Sequence, residues 1–150
     1  MFPIHKDYLK LKNNPLKGCF HGLFISSIFV LFLIVKNIIL GWKPINFHLG
    51  VLWIGVFMVG ILEEIPFRGV LLQSLSPHMK FWAANLLTTV IFIMLHMPTW
   101  TFSNINILQA IKSTLIFSMA LGYLFKEYDS LWVPIICHSV FNLCIWIGLA

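Results

Sequence analysis

Acidic residues are scarce in this chain of 150 residues, since only five side chains are Asp or Glu and only 10% of the residues are charged. Hydrophobic residues make up 59% of the chain, and the mean hydropathy is +0.91. A soluble domain of this length could not bury so much apolar surface in its own core. The scarcity of charge therefore excludes an ordinary soluble domain and predicts a protein surrounded by membrane lipid.

Basic clusters and paired cysteines are missing as well. The net charge of +5 comes from lysines scattered between apolar runs and a single arginine, which argues against a nucleic-acid partner. Cys19, Cys137 and Cys144 show no CxxC spacing and are interpreted as small packing residues. No internal repeat is present, and no pattern indicates an oligomeric state.

Long apolar runs are what the sequence does contain, and a membrane-crossing helix needs roughly 17–25 such residues. Five runs come near that length, at residues 19–40, 48–72, 81–97, 105–125 and 131–149. The predicted fold class is all-α, a polytopic transmembrane helical bundle of about five spans. We expect an N-terminal cytoplasmic segment over residues 1–18 and a transmembrane domain over 19–150. The first run is too long for a signal peptide and is expected to remain as an anchor.

The lysines predict an orientation for this bundle. Placing the N-terminus in the cytoplasm puts Lys36 and Lys43 outside and leaves a larger set on the cytoplasmic side, as membrane proteins prefer. That set comprises Lys6, Lys10, Lys12, Lys17, Lys80 and Lys126. The expected location is therefore the cell membrane, as a multi-pass protein with a cytoplasmic N-terminus.

A few strongly polar side chains fall inside the predicted spans, where an ionisable group costs about 2.5–3.5 kcal/mol on insertion scales. Such residues normally face a protected interior and carry function. The candidates are Glu63, Glu64, Arg68, His96, His138 and Asn142.

The second span carries three of these residues. Glu64 and Arg68 are four residues apart, so they share a helix face and are predicted to form an ion pair. Glu63 projects about 100° away around the helix and is not explained by that pair. Pro66 removes a backbone hydrogen bond and is predicted to kink the helix. A kinked, charged span is expected to line a cavity.

The remaining candidates lie on two other spans. His96 stands just before Pro98, so its helix is expected to end within a residue or two, where a histidine can simply be interfacial. His138 and Asn142 are four residues apart and share a face, where they could either join helices by hydrogen bonds or form a site.

Together these residue types favour peptide hydrolysis. One glutamate with His96 could deprotonate a water molecule, while His138 and Asn142 could donate hydrogen bonds to the oxyanion that forms. GxSxG and HExxH are both absent, which argues against a serine hydrolase and a standard zinc protease. Glu63, His96 and His138 could still hold a divalent metal such as zinc, so both mechanisms stay open at this point.

Three motifs resemble those of the CPBP intramembrane proteases, also called the Abi or type II CAAX-protease family. The pattern EExxxR, FxxxH, HxxxN occurs in that order as EEIPFRG from Glu63, FIMLH ending at His96, and HSVFN from His138. The resemblance covers about residues 48–149. Members usually have more N-terminal helices, so this sequence is expected to be a short form.

The resemblance implies an intramembrane endopeptidase that hydrolyses membrane-associated peptides or proteins. It implies that Glu63 and His96 activate water, that His138 and Asn142 form the oxyanion site, and that Glu64 and Arg68 support them. Members were long labelled metalloproteases, and the later view is a glutamate mechanism that requires no cofactor. Bacterial members are similar to enzymes that process bacteriocins or signalling peptides, or to immunity factors.

Two other classes of function compete with the protease. A non-catalytic membrane immunity factor could keep the motifs as a polar core, and a proton-coupled transporter could use Glu63, Glu64 and His96 as a relay. The protease hypothesis places the second, third and fifth spans around a cavity, which we expect to open towards the cytoplasm.

Overall fold

The computed structural model describes residues 9–42 and 44–150, and throughout these ranges the regular structure is helical. The helices are α1 (Pro15–Leu40), α2 (Leu52–Glu64), a π-helical segment (Ile65–Leu72), α3 (Gln73–Leu75), α4 (Phe81–Phe102), α5 (Ile107–Tyr128) and α6 (Trp132–Trp146). Because α2, the π segment and α3 follow one another without a break, the described chain forms five rods. The predicted all-α helical bundle is confirmed.

The helices have the lengths and apolar composition of a membrane protein. Three of them, α1, α4 and α5, are long and apolar enough to cross a bilayer, and α6 is a shorter apolar helix. The second rod runs from Leu52 to Leu75 but is divided by its π-helical segment. Five rods thus correspond to the five predicted spans, although only three meet the length criterion as single helices. The first of them begins at Pro15, inside the predicted segment 1–18.

The two ends of the bundle differ in charge. The starts of α1, α4 and α6 and the ends of α3 and α5 meet at one end, here called the basic end. The opposite end, here called the far end, carries the connections at 41–51 and 103–106. The basic end has Lys10, Lys12, Lys17, Lys80 and Lys126, whereas Lys6 and Lys43 lie outside the described residues.

The predicted kink at Pro66 takes a specific form. The π-helical segment begins at Ile65, directly after the two glutamates, and Pro66 stands in its first turn. Proline has no N–H to donate to the preceding turn, so the backbone ladder is interrupted at this point. Isolated stretches of π-helix often mark functional sites.

The prediction that the third helix ends near His96 is wrong. Helix α4 continues through Pro98 to Phe102, so His96 lies within a helix with six further residues beyond it. Neighbouring helices and local adjustments let proline stand inside membrane helices, although it leaves one backbone carbonyl without its usual donor.

Helix α6 lies at the centre of the bundle and packs against α1, α2 and α5. Its approach to α2 depends on Gly60, where an added Cβ would lie 2.7 Å from the carbonyl oxygen of Ile135. Small residues of this kind let helix backbones approach closely in membranes. This contact brings the α2 glutamates beside the α6 histidine.

The start of α6 is covered by the chain segment that precedes α1. The backbone N–H of Leu131 donates to the carbonyl of Lys10 at 3.3 Å, and the indole N–H of Trp132 donates to the carbonyl of Leu11 at 2.8 Å. Lys10 also pairs with Asp129. Leu131 is completely buried, so α6 begins inside the bundle rather than at its surface.

Candidate active site

Three rods bring the predicted polar residues together in the middle of the bundle. Glu63 and Glu64 come from the end of α2, Arg68 from the π-helical segment, His96 from α4, and His138 with Asn142 from α6. Five of the six side chains make contacts with one another, and Asn142 lines the same cavity as Glu63.

Glu64 and Arg68 form the predicted ion pair, which is completely enclosed. The guanidinium Nη1 donates to Glu64 Oε1 at 3.0 Å, and the two side chains are 0% and 1% exposed. Nη2 donates to the carbonyl of Ser118 at 2.9 Å and to its hydroxyl at 2.7 Å. The guanidinium carbon also lies 5.5 Å from the ring centre of Phe92, in cation–π contact. These contacts fix both side chains.

Two residues of this buried network were not predicted from the sequence. Ser118 accepts the Arg68 hydrogen bond, and its hydroxyl is 2.9 Å from the hydroxyl of Thr89 on α4. Both are almost completely buried. A lone hydroxyl residue in an apolar helix commonly bonds its own backbone, so neither carried a distinctive sequence signal.

Glu63 faces a different environment from its neighbour. Its side chain is 26% exposed, and its two oxygens lie 3.6 Å from the Nε2 atoms of His96 and His138. One carboxylate thus stands between two imidazole rings from different helices. Glu63, which takes no part in the Glu64–Arg68 ion pair, is therefore the glutamate that contacts both histidines.

Each histidine uses its Nδ1 atom for a fixed contact. His96 Nδ1 lies 2.9 Å from the carbonyl of Phe92, which can only accept, so Nδ1 carries the proton. His138 Nδ1 lies 2.6 Å from Glu64 Oε1, which already accepts from Arg68. Both rings therefore direct Nε2 towards Glu63, and the orientation of each is set by its other nitrogen.

A cavity of about 160 Å³ lies beside Glu63. Its polar lining includes Glu63, His96, His138, Asn142 and Thr114, and its apolar lining comes mostly from aromatic side chains of α4, α5 and α6. The Asn142 side chain has no hydrogen-bond partner among the described residues. A water-sized nucleophile and a polar substrate group can thus reach the carboxylate, both histidines and a free carboxamide.

The cavity lies next to a second cavity on the side of the far end. It shares Trp100, Thr114, Phe141 and Ile145 with a second cavity of about 420 Å³ at the connection between α4 and α5. On the side of the basic end, the buried side chains of Arg68, Phe92 and Ser118 close the site. The buried network fills the side of the lysine-rich end, and the expected opening towards the cytoplasm stays a prediction, because it depends on which end of the bundle faces the cytoplasm.

The geometry of the polar cluster bears on the metal alternative. Within residues 9–42 and 44–150, no three His, Cys, Asp or Glu side chains are arranged as metal ligands. The carboxylate oxygens of Glu63 approach His96 and His138 one each, at 3.6 Å. The choice between a metal-dependent and a metal-independent mechanism stays a prediction, and no step below passes through a metal.

The arrangement defines a class of protein, a helical membrane protein with a buried glutamate–arginine–histidine cluster beside a cavity. Comparison with known protein families matches residues 44–144 to the type II CAAX prenyl endopeptidase Rce1-like family. The chain belongs to this family of CAAX-type intramembrane proteases. No curated protein and no solved structure matches it.

Proposed function

We propose that this protein is an intramembrane endopeptidase that cleaves peptide bonds with a water molecule activated by Glu63 and His96. The observation that carries the proposal is the position of Glu63, with His96 and His138 at 3.6 Å each and a cavity on its open side. A residue that only stabilised the fold would gain nothing from partial exposure to a cavity.

The first step is activation of water. In neutral His96 the proton is on Nδ1, so Nε2 has a free lone pair beside the Glu63 carboxylate. Water between the two groups donates a hydrogen to each, and Glu63 takes a proton as the oxygen attacks the carbonyl carbon. The carbon–nitrogen bond then breaks as Glu63 returns this proton to the leaving nitrogen, and the products are a carboxylic acid and an amine.

The second requirement is stabilisation of the oxyanion. The Asn142 carboxamide lines the cavity and has no hydrogen-bond partner within residues 9–42 and 44–150, so its N–H groups are available to a substrate oxygen. Nδ1 of His138 lies 2.6 Å from Glu64 Oε1 and its Nε2 faces the cavity beside Glu63, so the ring can donate to a substrate oxygen when Nε2 carries a proton. Removing one such donor typically reduces the rate about 10²–10³-fold in hydrolases.

The proposed substrates are peptides or proteins at the membrane, with bacteriocin or signalling-peptide processing as the candidate role. Lipid-exposed apolar side chains cover α1, α4 and α5, so a substrate segment can reach the bundle within the bilayer. We also propose a multi-pass arrangement in the cell membrane with a cytoplasmic N-terminus, because the basic end holds most of the described lysines.

The test is a cleavage assay on the purified protein in lipid nanodiscs, mixed with bacterial membrane vesicles and followed by mass spectrometry of newly formed peptide termini. The wild-type protein should produce new termini, and Glu63→Gln should reduce them by about 100-fold or more, since it removes the general base. Glu127→Gln is the matched control, because Glu127 is exposed at the end of α5.

The competing function is a non-catalytic membrane factor that keeps the motifs as a polar core. The enclosed Glu64–Arg68–Ser118 network is what favours it. On that reading no new termini appear with the wild-type protein, and Glu63→Gln lowers thermal stability. Equal cleavage by the wild-type protein and Glu63→Gln would contradict the proposed mechanism.

A further inference from the structure

The second cavity adjoins the candidate active site on the side of the far end of the bundle. It has about 420 Å³ of space, and Trp100, Thr114, Phe141 and Ile145 line both it and the smaller cavity beside Glu63. Its outer part is formed by the connection after α4 and the first turns of α5, including Ala110. We refer to this larger space as the outer groove.

Side chains with free hydrogen-bonding groups follow the path from the outer groove to Glu63. Gln109 lines the outer groove, Thr114 lines both spaces, and Asn142 lines the inner cavity. In the part of the chain that the structure describes, none of these three side chains has a hydrogen-bond partner. Polar groups of this kind in an otherwise apolar wall normally serve to orient a ligand.

Gln109 and Thr114 line the outer groove from two directions. They are five residues apart on α5, which is about 7.5 Å along the helix axis and about 140° around it. A peptide segment that contacts both side chains therefore crosses the groove rather than following one face of α5.

The charge of the outer groove restricts what can occupy it. Its polar lining consists of Asn106, Gln109, Ser113 and Thr114, and the remaining lining is apolar or aromatic. A charged side chain or a free chain terminus placed there would find no oppositely charged partner in the lining. The groove suits an uncharged segment whose backbone still needs hydrogen-bond partners.

We propose that the outer groove binds the substrate on one side of the scissile bond, as an uncharged, extended peptide segment positioned by Thr114 and Gln109. This inference rests on the proposed endopeptidase function. The substrate then enters from the far end, past Trp100 and the connection at 103–106, while the buried network closes the basic end.

The first test blocks the groove without touching the inner cavity. Ala110 lines only the outer groove, so Ala110→Phe fills it. Ala120→Phe is the matched control, because Ala120 lies on the same helix and lines a separate cavity between α1, α5 and α6. The assay uses a reporter peptide built from a cleavage sequence that mass spectrometry identifies in vesicles treated with the wild-type protein.

Ala110→Phe should raise KM by about tenfold or more with a much smaller change in kcat, since lost ground-state binding acts on KM. Ala120→Phe should leave both unchanged. Thr114→Val should raise KM by a smaller factor, because it removes only a hydroxyl. Equal KM values for Ala110→Phe and Ala120→Phe would overturn the groove assignment while leaving the endopeptidase function intact. A wild-type protein that produces no new termini would overturn both.

A second readout does not depend on catalysis. In the Glu63→Gln background, a photo-crosslinking amino acid at position 110 should capture the reporter peptide, and the same amino acid at position 120 should not. Introducing a lysine into the reporter beside the scissile bond should reduce capture at position 110. Capture of lipid instead of peptide at position 110 would show that the groove holds an acyl chain and would overturn the proposal.

Discussion

Glu63 and Glu64 are adjacent in sequence, yet they face opposite kinds of surroundings. Glu64 is fully buried and held by Arg68 and His138, whereas Glu63 faces a cavity between two imidazole rings. The rotation of about 100° per helical residue is enough to separate them. His138 contacts both, so it connects a buried half of the cluster with an open half.

A single polar cluster thus combines a buried half, which holds the helices together, with an open half, which faces the cavity. In the buried half, the Arg68 guanidinium joins the Glu64 carboxylate to the Ser118 hydroxyl, although Glu64 Oε2 and Arg68 Nε have no hydrogen-bond partner within the described residues. In the open half, the Asn142 side chain has no partner within the described chain, and the histidines turn Nε2 towards the cavity. Changes in the first half should affect stability most, and changes in the second should affect cleavage.

The largest expected effect on stability comes from Glu64→Gln. It removes the only carboxylate that contacts Arg68 in the described structure and leaves a buried guanidinium without its counter-charge. Breaking a buried pair in this way costs about 3–5 kcal/mol. Thermal unfolding in detergent should show a clear loss relative to the exposed control Glu127→Gln. An unchanged melting temperature would mean that the buried half does not stabilise the fold.

A smaller effect is expected from Gly60→Ala. Its new Cβ would lie 2.7 Å from the backbone carbonyl of Ile135, so α2 and α6 must move apart. Overpacking of this kind costs about 1–3 kcal/mol and would also draw Glu63 away from His138. Gly55→Ala is the matched control on the same helix, because its Cβ would meet only the end of the Trp146 ring at 3.3 Å. Similar melting temperatures and cleavage rates for both variants would argue against this role of Gly60.

Ser118→Ala should have a still smaller effect. Arg68 loses the hydroxyl at 2.7 Å but keeps the backbone carbonyl of the same residue at 2.9 Å. The expected loss is about 1 kcal/mol, typical of one hydrogen bond. Ser113→Ala serves as the control, since that hydroxyl bonds only within its own helix. The measurement is the difference in free energy of unfolding between the two variants. Equal values would show that the Ser118 hydroxyl does not stabilise the buried half.

Removal of divalent metal should have the smallest effect. The mechanism proposed for the open half uses Glu63 and His96 alone, so EDTA or 1,10-phenanthroline should leave the rate of cleavage unchanged. Loss of cleavage with chelator, followed by recovery with added zinc, would replace the proposed mechanism with a metal-dependent one. A chelator-treated Glu63→Gln sample provides the baseline.

The sequence predicted the helical bundle and the Glu64–Arg68 pair because both follow from local rules of length and spacing. The depth of each site residue within the bundle was harder to predict. In the sequence alone, counting about 1.5 Å per residue inward from the end of each apolar run that carries the lysines predicts depths of roughly 14 Å for Glu63, roughly 10 Å for His138 and roughly 22 Å for His96. The structure nevertheless brings both histidines to within 3.6 Å of Glu63.

Two features of the fold account for this discrepancy. The second rod extends to Leu75, which places Glu63 about 18 Å from its end. Helix α6 begins at a buried position beneath the segment around Lys10, so counting from Trp132 underestimates the depth of His138. Depth depends on where each helix starts relative to its neighbours, and this is a property of tertiary packing.

The direction of the cavity was also beyond the reach of sequence patterns. Ser118 and Thr89 help to close the basic side, and each is an ordinary hydroxyl residue in an apolar helix. Pro98 suggested that α4 ends beside His96, but the helix continues to Phe102 and supplies Trp100 to the cavity wall. Local rules locate a proline, whereas the packing around it decides whether the helix ends.

The π-helical segment at Ile65–Leu72 determines where the second rod can lose a residue without displacing the glutamates. A π turn holds one residue more than an α turn, so a deletion just after Arg68 can be absorbed by a return to α-helical geometry. A deletion within α2 cannot be absorbed in this way, because α2 is already α-helical. It would rotate both glutamates by about 100° away from α6. Natural or engineered variants that are one residue shorter in this rod should therefore keep the cluster only when the missing residue lies within the π segment.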